Sequence, residues 1–62
     1  MHIAFNVDNN NVIDFAEILI DNDMRNEIIG ITDDGLLTID VIYNRSNQEA
    51  LEDLEELSEE DE

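Results

Sequence analysis

The chain has 62 residues, no cysteine, no proline and 42% hydrophobic content, enough for one domain with one small core but too short for a second domain, and without the thiols of a disulfide framework or zinc knuckle. Eighteen acids stand against two arginines and no lysine, a formal net charge of -16, which argues against direct binding of nucleic acid or an anionic membrane, because both rest on cations meeting phosphates. No apolar run approaches the roughly 20 residues of a membrane span, and the start MHIAFNVDNN lacks the basic and long apolar segments of a signal peptide, so the cytoplasm is the expected location.

Ile3, Phe5 and Val7 alternate with Ala4 and Asn6, the pattern of a half-buried strand. His2 falls on the polar side and is read as an exposed or locally hydrogen-bonded imidazole; one histidine cannot build a metal site. Asp8 to Asn11 form a polar turn. A calcium-loop reading of that run fails, since Ile13 and Leu19 stand where such a loop needs glycine and glutamate. From Val12 to about Asp23 the helical period groups Val12, Ile13, Phe15, Ala16, Leu19 and Ile20, with Ile18 as a misfit, and places Asp14, Glu17 and Asp21 on the opposite side. Asn11 is the expected N-cap, with Asp14 completing a box-like cap at the positive end of the helix dipole.

The stretch NEIIGITDDGLLTIDVIY, Asn26 to Tyr43, reads as a β-hairpin around Asp33, Asp34 and Gly35. A three-residue loop with Gly35 in the left-handed position pairs odd residues with odd residues. Ile29, Ile31, Leu37, Ile39, Val41 and Tyr43 then share the core face, and Thr32, Thr38, Asp40 and Gly30 the other. On that second face Ile28, Leu36 and Ile42 supply enough apolar surface to suggest a homodimer contact. Ser46 and Glu49 have the spacing of a capping box. They open a second helix whose stripe is Ala50, Leu51, Leu54 and Leu57, with Glu49, Glu52, Glu56 and Glu59 on the far side. The acids from Glu59 to Glu62 have no apolar anchor, so residues 1–58 are expected to fold and 59–62 to form a frayed tail.

These elements make a single α+β domain of order βαββα, an antiparallel hairpin sheet with both helices on one face. The alternative is a four-stranded antiparallel meander, with Val12 to Ile20 as a strand, followed by a C-terminal helix.

Catalysis is not expected, since two serines and one histidine provide no nucleophile beside an oriented base, and Gly30 and Gly35 make no phosphate-cradling loop. No catalytic, cofactor or metal residue is assigned. The acids are more informative. Nine of them occupy the fourteen residues from Glu49 to Glu62, about one per 2.3 Å on a helix, against one charge per about 1.7 Å of duplex DNA. With Asp14, Glu17 and Asp21 they would offer carboxylates where a nucleic-acid-binding protein expects phosphates. In size, charge and mixed α/β build the chain resembles the small acidic inhibitors that phages make against restriction, CRISPR and DNA-repair enzymes, a resemblance of composition that involves no motif. It implies a basic, nucleic-acid-binding bacterial protein as partner and the cytoplasm of the bacterial host as the place of action. An antitoxin or immunity protein covering a basic toxin, or a small dimeric interaction module, would carry the same charge.

Overall fold

The structure, a computed structural model, describes residues 1–59. The chain is an α+β domain of order β1 (His2–Val7), α1 (Val12–Asp21), β2 (Asn26–Ile31), β3 (Leu37–Ile42), α2 (Gln48–Leu57) and β4 (Ser58–Glu59). The antiparallel sheet runs β2-β3-β1-β4, so β1 and β2 lie parallel with β3 between them and a helix bridging their ends, which is the split βαβ connectivity. The expected βαββα order is present, extended by the two-residue β4. Val12 to Asp21 is helical, so the meander alternative does not describe this chain.

Both helices cover one face of the sheet. Phe5 and Val7 of β1 and Ile39 and Val41 of β3 meet Phe15 and Leu19 of α1 and Ala50 and Leu54 of α2, with Met24 closing one end. The Phe5 and Phe15 rings pack edge to face, 5.5 Å between centroids, the geometry that aromatic quadrupoles favour. Leu37, Tyr43, Leu51, Leu57, Val12 and Ile18 pack around this cluster. Ile18, the misfit of the helical reading, is thus part of the core, whereas Ile13 and Ile20 are exposed at 73% and 75%. The buried arc of α1 is centred on Phe15 and Leu19, and both of those isoleucines lie beyond its edge.

The hairpin has the expected three-residue loop. Thr32 N–H donates to the Leu36 carbonyl at 2.8 Å, Gly35 N–H donates to the Thr32 carbonyl at 2.9 Å, and Gly35 takes φ 87°, the left-handed conformation that favours glycine. The uniform odd-to-odd register does not hold. Pairing runs Ile31 to Leu37 and Gly30 to Thr38, then skips Ile29 and resumes at Ile28 to Ile39. This bulge reverses the parity of β2 below Gly30. The expected core face is corrected with it: Ile39 and Val41 are buried and Leu37 and Tyr43 half-buried, but Ile29 and Ile31 are 60% and 71% exposed. The reason is position, because β2 is the edge strand and the core draws no residue from it.

Three terminal expectations are also revised. Asn11 makes no side-chain cap to α1; its amide instead donates to the Leu57 carbonyl at 3.2 Å, tying the start of α1 to the end of α2. The expected cap moves off Ser46: Asn44 and Asn47 cap a single 3-10 turn, Arg45–Asn47, that leads into the second helix with Ser46 inside it, and Asn47, at the N-cap position of α2 itself, makes no side-chain cap bond to it. Glu59, expected on the acidic side of α2 and at the start of a tail, belongs to β4, whose residues pair with Asn6 and Val7. The remainder of the expected tail, 60–62, lies outside the described residues.

Candidate protein-binding surface

The helix layer is where the acids gather. Burial of Phe15 and Leu19 on α1, and of Ala50 and Leu54 on α2, turns the opposite arc of each helix to solvent. Asp14, Glu17 and Asp21 are exposed on α1, and Glu49, Glu52 and Glu56 on α2, joined there by Asp53 and Glu55. The two helices pack side by side. The Asn11–Leu57 bond fixes the start of α1 beside the end of α2, and one depression lined by Asn22, Asp23, Ser46 and Asn47 joins the opposite ends. The helices are therefore antiparallel, so Asp21 and Glu49 belong to one end of the layer and Asp14 and Glu56 to the other.

No cation interrupts these stripes. Arg25 follows α1 and Arg45 precedes α2, outside both helices. Among the described residues the one contact of ion-pair length is His2 Nδ1 to Asp40 Oδ1, 3.1 Å, on the other side of the sheet. Like charges three and four positions apart on a helix repel by a few tenths of a kcal/mol per pair, so the stripes cost the fold stability. No described cluster of three or more His, Asp or Glu side chains is arranged to hold a metal, and no described helix is long and apolar enough to cross a membrane.

Glu59, grouped with the α2 acids by its spacing, is on β4 instead. The three apolar residues expected to share the helix-free face are not brought together there. Ile42, 49% exposed, lies on that face, since it alternates with buried Val41. Leu36 is half-buried beside the turn, and the bulge at Ile29 places Ile28 opposite Ile39, on the helix-bearing side. The helix-free face is polar: Thr38 Oγ1 donates to Asn6 Oδ1 at 2.8 Å, His2 meets Asp40, and Glu27 is paired with Asp40 across β2 and β3.

Sequence reasoning missed the exposed apolar edge made by Ile28 and Ile31 of β2; Ile20 of α1, also exposed, lines a depression that reaches Asn26 at the start of β2. The one local signal was Gly30, because an isolated glycine within a strand often marks a bulge. No family model, no curated protein and no solved structure matches the chain.

Proposed function

We propose that this chain is an acidic, protein-binding inhibitor that presents the carboxylates of α1 and α2 as a nucleic-acid surrogate to a basic DNA- or RNA-binding protein. The observation that carries the reading is the uninterrupted carboxylate layer: Asp14, Glu17 and Asp21 on one helix and Glu49, Glu52 and Glu56 on its antiparallel neighbour, all exposed, with no described cation among them. Acids needed only for dispersion in water could be scattered among cations at no cost to the helices. Strung along two helices they repel one another, and a cationic groove would relieve that repulsion by releasing counterions from both sides. Rigid helices also hold the charges at a set spacing without an ordering cost of about 1–2 kcal/mol per residue on binding.

The compositional resemblance to phage inhibitors supports a bacterial defence or repair protein as the target class. The test is capture of partners from bacterial lysate on the full chain, followed by elution with duplex DNA and with salt. The expected partner is a nucleic-acid-binding protein, displaced by DNA and released by salt, and lost when Glu49→Gln, Glu52→Gln and Glu56→Gln are combined with Asp14→Asn, Glu17→Gln and Asp21→Asn. A partner that holds DNA and this protein together, or that ignores the six substitutions, overturns the reading.

A further inference from the structure

Among the described residues no strand pairs with the outer edge of β2. Edge strands are ordinarily blunted by lysine, proline, a bulge or a covering segment; β2 carries the bulge at Ile29, but it has no lysine or proline, and the buried core takes no residue from it. Its backbone polarity follows from the ladder. Thr32 donates to Leu36, and Ile42 donates to the Arg25 carbonyl at 2.8 Å, so those are hydrogen-bonded pairs. Alternation makes Ile31–Leu37, Asn26–Val41 and Ile28–Ile39 the non-hydrogen-bonded ones. The N–H and C=O groups of Asn26, Ile28 and Ile31 therefore point away from β3, toward the open edge. Ile28 and Ile31 also place their side chains on the helix-bearing side, 62% and 71% exposed, while Glu27 lies on the helix-free side opposite Asp40.

From this geometry we propose that the edge of β2 accepts a β-strand from a cationic partner protein, one that alternates apolar residues toward Ile28 and Ile31 with Lys or Arg toward Glu27 and Asp40. Strand addition supplies main-chain hydrogen bonds, and the alternating side chains supply selectivity. Charge selects the occupant. Asp33 and Asp34 stand at one end of the strand and Asp23 near the other, and the whole chain carries -16, so a second copy meets like charge at every approach whereas a basic strand is attracted. The inference takes from the proposed function only that the partner is cationic; the contact surface is a different one.

The probe is a synthetic peptide of about six residues, a common strand length, alternating valine and lysine, with a version N-methylated at every second residue and an oligolysine of equal charge as controls. Amide hydrogen exchange on the full chain reads the contact. The expected result is slowed exchange at Asn26, Ile28 and Ile31 with the alternating peptide alone. Ile31→Pro removes an edge donor that β3 does not use and is expected to weaken binding about tenfold. Ile28→Thr with Ile31→Thr, which keeps strand propensity and removes the apolar contact, has the same expected direction and covers the case in which the proline variant fails to fold. Glu49→Gln, Glu52→Gln and Glu56→Gln leave the β2 protection in place, so failure of the helix-layer reading is visible separately. Unchanged exchange at the three β2 amides at saturating peptide overturns the proposal. So does β2 protection in the free protein that disappears on dilution, because the edge is then occupied by a second copy.

Discussion

Among the described residues Asp23 is the one other than glycine with a positive φ, 56°. It terminates α1 as glycine usually does. Its N–H donates to the Ile20 carbonyl at 3.2 Å and that of Met24 to the Leu19 carbonyl at 2.9 Å, the two bonds of a Schellman motif, with Leu19 and Met24 both buried in the core as the motif's apolar contact. A side chain in this conformation is strained by up to about 1–2 kcal/mol, less for aspartate than for most residues, and a carboxylate at a helix C-terminus opposes the dipole. Asp23→Gly relieves both and returns part of the gain to the unfolded chain, which becomes more flexible. The expected outcome is a net stabilisation of about 0.5 kcal/mol, measured as a higher urea midpoint with unchanged slope. A lower midpoint shows that the carboxylate makes a contribution the motif does not account for.

At the scale of elements, caps separate what the residue types announce from what the fold selects. Ser46 has the spacing of a capping residue, yet Asn44 accepts from the Ser46 N–H at 2.9 Å and Asn47 accepts from the Asn44 N–H at 3.0 Å. Asn44→Ala is expected to cost about 1 kcal/mol and Ser46→Ala clearly less, both read from thermal unfolding; equal losses place the cap back on Ser46. The two helices and the hairpin were legible because each rests on a local signal: an apolar arc at helical period around Phe15 and Leu19, another around Ala50 and Leu54, and a glycine where a three-residue turn requires one. What was not legible depends on strand order, which no local pattern encodes. Ile29 and Ile31 have the alternation of a core strand, but alternation does not say which strand the helices overhang. Ser58–Glu59 is too short to have a period of its own, and Met24 has no pattern around it. The acidic stripes of α1 and of α2 as far as Glu56 followed directly from helical period; Glu59 did not, because the helix stops at Leu57.

For the whole molecule, self-repulsion is the dominant electrostatic fact. A net charge of -16 on 62 residues, with one ion-pair contact among the described residues, opposes compaction, and screening acts over about 10 Å at 0.1 M salt. The melting temperature is therefore expected to rise between very low and physiological ionic strength, measured by circular dichroism; a flat response means that the repulsion is nearly as large in the unfolded chain. The strand order bears on a different property, the order of events during synthesis. β1 leaves the ribosome ahead of the other strands, yet it occupies the interior of the sheet, flanked by β3 and β4. Neither flank exists until residues 37–42 and 58–59 have been made. A nascent chain ending at Ile31 holds β1, α1 and β2 but no strand to join them, so a fragment of residues 1–31 is expected to give a disordered circular dichroism spectrum. Folding of this domain thus waits for the C-terminal half of the chain, and the distant contacts that must then form make it slower than a domain built from local contacts.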